Sequence, residues 1–344
     1  MANTPPSGTS RQQPLRLGVL GLGAIAQMAH LPVLAKMRGV QIAALCDNDG
    51  AKARALAQRF DVSDVCSDIE ELLEIPDLDG VIITTPNHLH EVHVLSALRA
   101  KLGVLCERPL ALSARGVERI IAASEKAKRV VMVANNQRFR HDTQTLDAFL
   151  RGGELGKLRA VRAGAYRRRV QVAPWRLRRA EAGGGAFFEL GLPLLDLAGW
   201  ITDAPRVTRV SASMERGRGA NAVEEAAIVF IECEGGFTVT IDVHWNYVGE
   251  DDRWWFEVIG SRGSARLAPL RITKELHGAP IDVSPQGAST KDTYFIQSYR
   301  SALAHFASVL RGDTAYEAPL DQVRLFKLVD AIYKAADDAK EMRL

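Results

Sequence analysis

Six residues near the start of the chain, Gly21-Leu22-Gly23-Ala24-Ile25-Ala26, have the types and spacing to hold a phosphate. Gly21 makes a tight turn, Gly23 lets the backbone approach a pyrophosphate, and small Ala26 lets a helix pack close to its strand. A helix opening at Ala24 and Ile25 offers free N–H groups and the positive end of its dipole. The run Val40-Gln41-Ile42-Ala43-Ala44-Leu45-Cys46 reads as a second buried strand with Asp47 at its end. An acid there accepts hydrogen bonds from ribose hydroxyls and repels a 2′-phosphate. The chemistry implied is dinucleotide binding, NAD in preference to NADP. For the glycine motif alone, a tight strand-to-helix turn without a ligand is the alternative.

Such a site needs a parallel sheet behind it. From residue 15 to about 133, short apolar runs (17–20, 40–46, 81–85, 103–106, 130–133) alternate with helix-compatible stretches (24–35, 51–60, 91–100, 114–126). This alternation predicts a parallel sheet covered on both faces, with ligands beyond the carboxyl ends of its strands. After Arg138 the pattern changes. A helix over 143–150 precedes strands at 158–166, 206–214, 226–233, 237–245, 254–259 and 264–267, with Glu234-Gly235-Gly236 as a hairpin turn. Helices over 299–310 and 322–340 close the chain. The fold class expected is α/β: a Rossmann dinucleotide-binding domain over 15–138, then an α+β domain over 139–344 with a mainly antiparallel open sheet. The C-terminal helices are free to pack back on the first domain.

Composition sets the bounds. With 344 residues, 47% hydrophobic and 25% charged, the chain can bury two ordinary cores. Lys and Arg total 44 against 41 Asp and Glu, and a net charge of +3 gives no overall pull to nucleic acid or membrane. Cys46, Cys66, Cys106 and Cys233 lack metal-ligand spacing and read as reduced packing thiols, so no metal is expected. No apolar run reads as a membrane span. Residues 1–14 have no apolar signal core and read as a disordered tail, so a cytoplasmic location is expected. Arg159, Arg162, Arg167, Arg168, Arg169, Arg176, Arg178 and Arg179 form a basic cluster. It reads as a solvated face or as a contact for an anionic substrate; nucleic acid would need stacking platforms as well.

The order of motifs resembles the glucose-fructose oxidoreductase, inositol dehydrogenase and MocA family of NAD(P)-dependent oxidoreductases over nearly all of the chain after Leu15. Its marks are Gly21-x-Gly23-x-x-Ala26, Thr85-Pro86-Asn87-His88-Leu89-His90, Cys106-Glu107-Arg108-Pro109-Leu110, Asn136-Gln137-Arg138-Phe139, Trp175-Arg176 and Gly183-Gly184-Gly185. The resemblance implies that Thr85, Pro86 and Asn87 line the dinucleotide cleft. It also implies that Glu107 contacts the nicotinamide ribose and that Asn136 lies on the nicotinamide side. His90 is expected near the cofactor, not as a base; His88 and His90 read equally as local packing histidines.

Two family signatures are altered. The usual Glu-Lys-Pro is Glu107-Arg108-Pro109, and the usual aspartate and histidine four residues apart are Glu189 and Pro193. Arg108 can orient a substrate but stays protonated, so it cannot shuttle a proton. Proline has no titrating group, lacks an N–H for the Glu189 carbonyl, and predicts a helix that starts or kinks over 190–193. Glu189 or a water is then the proton acceptor, with Tyr166 and His244 as further candidates. Arg108, Tyr166, Trp175, Arg176, Glu189 and His244 are the expected substrate contacts. The function implied is hydride transfer between NAD and a sugar, polyol or related hydroxy compound, with some acidic character in this small-molecule substrate. The alternative is a non-catalytic dinucleotide- or sugar-binding sensor. A homodimer or homotetramer through the open sheet is expected.

Overall fold

The computed structural model of the chain describes residues 13–168, 173–217, 219, 222–285 and 292–344. Most of the expected tail, and Arg169, lie outside the described residues. Six strands, β1 (Leu15–Leu20), β2 (Val40–Cys46), β3 (Asp64–Cys66), β4 (Gly80–Ile83), β5 (Gly103–Cys106) and β6 (Val131–Val133), form a parallel sheet in the order β3-β2-β1-β4-β5-β6. Strands β4 and β5 are buried at every position, because the crossover helices cover both faces. The register places Leu20 beside Cys46 and Ile83, Ile83 beside Cys106, and Cys106 beside Val133. Gly21, Asp47, Thr84 and Glu107 therefore leave the sheet at one level. That level is where the strand order reverses about β1 and β4, and where such sheets bind ligands.

The helices follow their caps. Asp49, Asp68 and Ser113 accept backbone N–H bonds at the starts of the helices Gly50–Phe60, Ile69–Leu73 and Ala114–Ala127. The helix Asn87–Arg99 begins four residues earlier than its apolar pattern predicts. The first helix is not regular. A π turn over Ala26–His30 precedes the short α-helix Leu31–Leu34, whose first turn holds Pro32. Proline offers no N–H to the residue four before it, and its ring crowds that carbonyl; a wider π turn relieves both problems.

The second sheet has nine strands: β7 (Leu158–Arg168), β8 (Val207–Arg216), β9 (Glu224–Cys233), β10 (Thr238–Tyr247), β11 (Arg253–Gly260), β12 (Gly263–Leu267), β13 (Arg271–Leu276), β14 (Ala279–Asp282) and β15 (Met342–Arg343). Their order is β14-β13-β12-β11-β7-β10-β9-β8-β15, antiparallel except for the central pair β7 and β10. One face is core: Val161, Ala163 and Ala165 of β7 pack with Ile241 and Val243 of β10 and with Phe256 of β11. A second π turn, Phe187–Gly191, followed by the α-helix Leu192–Ile201, lies on this face. The break falls where Pro193 requires it. The apolar helical run Arg179–Ile201 has the length and composition of a membrane span, which corrects the expectation that no run reaches that length. Its Phe187, Leu192, Leu195 and Leu197 belong to the protein core. The helix Tyr294–Arg311 packs Tyr299, Leu303 and Phe306 against β1 and β4 of the first sheet, so this C-terminal element completes the first domain.

Candidate active site

The carboxyl ends of the parallel strands open into a cleft of about 1160 Å³ that the second domain covers. Gly21, Gly23, Ala24, Ile25, Asp47, Thr85, Pro86, Asn87, His90, Glu107 and Asn136 line it from the first domain. Arg108, Trp175, Arg176 and Glu189 line its other end. Ala26 lies behind the turn, fully buried, as helix–strand packing requires.

In the dinucleotide half, Asp47, Asn87, His90, Glu107 and Asn136 are each anchored. Gly21 has φ +87°, and a Cβ there would stand 2.8 Å from the Thr84 and Thr85 backbone, so no other residue fits this turn. A Cβ on Gly23 would meet nothing within 4 Å, which leaves a bare backbone cradle facing the cleft. Asp47 accepts the Leu22 N–H at 2.7 Å and the Asp49 N–H at 2.9 Å, and pairs with Lys52 at 2.9 Å. This carboxylate braces the glycine turn, and it retains lone pairs for ribose hydroxyls. Glu107 accepts from Tyr299 at 3.0 Å and meets His30 Nε2 at 2.8 Å. Burial pushes its carboxyl up; the hydrogen bond and charge of His30, with Arg108 and Tyr299, outweigh this and hold it below the usual carboxylate range. His90 is buried with Nδ1 2.6 Å from the Pro109 carbonyl and Nε2 2.7 Å from that of Thr85. Burial lowers its pKa while the two carbonyls and Glu107 oppose this, and the ring acts as a strut between two cleft segments. Asn136 donates to Ser298 at 3.0 Å, and Asn87 donates across the domain boundary to the Ala182 carbonyl at 2.8 Å. The bare glycine backbone, a helix start and an acid at the end of β2 fit the pyrophosphate and ribose of NAD.

At the other end, two buried polar atoms lack partners among the described residues. Glu189 lies in the second π turn, and its Oε1 pairs with Arg167 at 2.8 Å and with Arg176 at 2.6 Å. Its Oε2 is buried without a hydrogen-bond partner among the described residues. So is Nε1 of Trp245, which also lines the cleft. Arg108 Nη1 donates to the Glu189 carbonyl at 3.2 Å. That carbonyl is the one Pro193 cannot serve. Behind the helix, Glu224 is buried and its Oε1 accepts from the Gly185, Phe187 and Phe188 amides at 2.7, 3.0 and 3.4 Å, and from Tyr333 at 2.8 Å. A Cβ on Gly185 would be 2.1 Å from the Glu224 carbonyl oxygen, which accounts for the last of the three glycines.

Two expected substrate contacts are corrected. Side chains alternate across a strand. Ala165 and Arg167 of β7 and Trp245 of β10 face the cleft, so Tyr166 and His244 point to the opposite face of the sheet. There Tyr166 donates to Asp242 and packs edge-on to His244 and Trp255, with its pKa raised to about 12 by burial and by Asp242. The basic cluster also disperses. Arg168 turns to Asp252, Arg178 to Glu181 and Arg179 to Asp337; among its described members, Arg167 and Arg176 reach the cleft. The sequence reading missed His30, Tyr299, Lys52, Trp245 and Glu224 as site residues. The five-residue spacing of Lys52 from Asp47, a buried strand's acid at 224 and Leu-Pro after each π turn were the available signals.

Comparison with known proteins agrees with this layout. A family described as oxidoreductases with an NAD-binding Rossmann fold matches residues 15–135, and the C-terminal domain of the same family matches 143–266. A D-glucoside 3-dehydrogenase from Escherichia coli K12 is 25% identical over 349 residues, covering 96% of this chain and 98% of the relative. An inositol 2-dehydrogenase from Acidothermus cellulolyticus is 29% identical over 257 residues, covering 74% and 73%. The crystal structure of GenD2 from gentamicin A biosynthesis, in complex with NAD, shares the fold with a TM-score of 0.83 at 24% identity, covering 99% of each chain. With both domains matched in order on either side of one cleft, the chain belongs to the GFO/IDH/MocA oxidoreductase family.

Proposed function

We propose that the protein is an oxidoreductase that moves hydride between NAD and a carbinol carbon of a sugar, polyol or related hydroxy compound. The observation that carries this is the junction of two unlike halves in one cleft: a bare glycine cradle with Asp47 and Glu107, and an end where Glu189 Oε2 and Trp245 Nε1 lack partners. Buried polar atoms without partners are uncommon, and substrate hydroxyls supply both the donor and the acceptor that these two need. Relatives named for D-glucoside and inositol oxidation support the substrate class. Bound NAD supplies C4 of its nicotinamide as the hydride acceptor. With NAD bound, the carbinol C–H electron pair would leave as that hydride, the Glu189 carboxylate would take the O–H proton, and a carbonyl would remain. Arg167 and Arg176 hold Glu189 in place through Oε1.

Asp47 favours NAD, because a 2′-phosphate would be brought against a carboxylate; a fluorescence titration with NADPH tighter than NADH would overturn this preference. On the outer face of the second sheet, Tyr166, Tyr247 and Trp255 surround Asp242 and His244, and Ile228 is 53% exposed. Such a face suits a second copy, so we place the homodimer or homotetramer interface there. Sedimentation as a monomer would count against it. The functional test is to incubate the protein with NAD and a panel of polyols, aldoses, glycosides and sugar acids and to follow reduced nicotinamide. Turnover of any member supports the enzyme. Tight NADH binding with no turnover in either direction favours the sensor, a reading kept in view by Pro193, which has no titrating group.

A further inference from the structure

Arg108 and Pro193 are 85 positions apart in sequence, yet both line one cleft and Arg108 bonds the residue four before Pro193. Residue 193 has no amide hydrogen, so the Glu189 carbonyl, four residues earlier, lacks the donor that a regular helix would give it. Arg108 reaches from the segment after β5 and supplies one: Nη1 donates to that oxygen at 3.2 Å. A lysine at 108 carries an ammonium that could bind this carbonyl or a ligand as a single point charge. A guanidinium can do both along separate edges.

The anchored edge fixes the orientation of the other. Among the described residues, Arg108 makes no ion pair, and no partner is found for its Nε or Nη2. The neighbouring guanidiniums differ, because Arg167 and Arg176 are both held on Glu189 Oε1, a trio that keeps one net positive charge. Among the described residues Arg108 therefore lines this end of the cleft with Nε and Nη2 free of hydrogen bonds and ion pairs, while its charge also reaches the Glu107 carboxylate. A single planar fork with two parallel N–H groups matches the two oxygens of a carboxylate. The same fork also fits two oxygens of a phosphate, which is therefore the competing ligand in the test.

We infer that Arg108, held by the carbonyl that Pro193 frees, is a carboxylate-binding residue, and that the substrate is a polyhydroxy acid rather than a neutral sugar or polyol. This rests on the oxidoreductase reading above and narrows its substrate class. Pro193 acts through Arg108 as a positioning residue. An amide restored at position 193 would compete for the Glu189 carbonyl and release Nη1, loosening the fork.

The test is calorimetric titration of the protein–NADH complex with D-gluconate, D-glucuronate and D-galacturonate, their neutral counterparts D-glucitol, D-glucose and D-galactose, and D-glucose 6-phosphate. The expected result is that at least one acid binds about tenfold or more tighter than its neutral counterpart, the worth of a charge-assisted pair. In Arg108→Lys this preference falls to about twofold. Pro193→Ala lowers it partway, and adding Pro193→Ala to Arg108→Lys lowers it no further, because both changes act on one contact. A change in general stability alone would shift acids and neutral sugars equally. Acids binding no better than neutral counterparts, a preference that survives Arg108→Lys, or tighter binding of the phosphate each overturn the inference. Oxidation of neutral sugars without acid preference leaves the oxidoreductase reading standing and this inference refuted. Acid preference without hydride transfer does the reverse.

Discussion

The two ends of the cleft are built with the same local device and finish it differently. A five-residue π turn followed by Leu-Pro occurs at Ala26–His30 before Leu31-Pro32, and again at Phe187–Gly191 before Leu192-Pro193. In each, the proline removes a helical N–H, the turn widens, and a polar residue of the turn is delivered to an ionisable cluster at the cleft: His30 behind its wall and Glu189 on it. The first delivers His30 to Glu107, which Tyr299 also holds, and leaves His30 Nδ1 without a partner among the described residues. The second delivers Glu189 to two arginines but leaves Oε2 without a partner, and Arg108 donates to the Glu189 carbonyl. The dinucleotide end is thus pre-formed, with its carboxylates Asp47 and Glu107 held by protein partners. The substrate end keeps donors and acceptors in reserve, which is what recognition of a varied polyhydroxy ligand requires.

If the first end is pre-formed, it should break sharply. Gly21→Ala would force a Cβ against the Thr84 backbone at φ +87°, and NADH affinity in a fluorescence titration should fall by about 100-fold or more. At the second end, Glu189→Gln keeps the shape but removes the proton acceptor. The expected outcome is a kcat lower by about 100-fold with NADH affinity unchanged. Equal kcat in the variant would assign the proton to another group. Glu224→Gln removes the charge from a buried cap shared by three amides and a tyrosine, and should lower stability by about 2 kcal/mol in denaturant unfolding.

The two ends meet at the Thr85 segment, which supplies a pH prediction. Burial lowers the pKa of His93, which shares a 3.0 Å hydrogen bond with Thr85, from 6.5 to about 4. The unfolded chain binds this proton near pH 6.5, and the folded chain resists it until about pH 4. Stability is therefore lost as pH falls through that window, and His93→Gln should flatten the loss in melting temperature. The smallest effect is expected at Tyr166→Phe, with kcat within about twofold of wild type, because this residue lies on the far face of the sheet.

The cofactor end was legible because its constraints are local: a glycine whose φ must be positive, an acid ending a buried strand, and apolar runs at βα spacing. The substrate end is assembled from residues 108, 167, 176, 189 and 245, which share no local pattern. The placement of Tyr166 and His244 could have been read. In β7, Val161, Ala163 and Ala165 alternate with Arg162, Gly164 and Tyr166, so the odd positions face inward and carry Arg167 to the cleft. The π turns could not be read from apolar periodicity, since both keep helix-compatible residues; only the proline after each marks them. The missed outer strands β13 and β14 are largely exposed, which removes the hydrophobic alternation that reveals a strand.

The central claim, that the two ends cooperate in hydride transfer, is tested most directly with isotope. Protein, NADH deuterated at C4 and a pool of keto sugars and keto sugar acids are mixed, and products are analysed by mass spectrometry. The account predicts one deuterium bound to carbon in a newly formed carbinol, with the yield lowered about 100-fold in Glu189→Gln. Tight NADH binding with no deuterium in any product, from either position at C4, would contradict it.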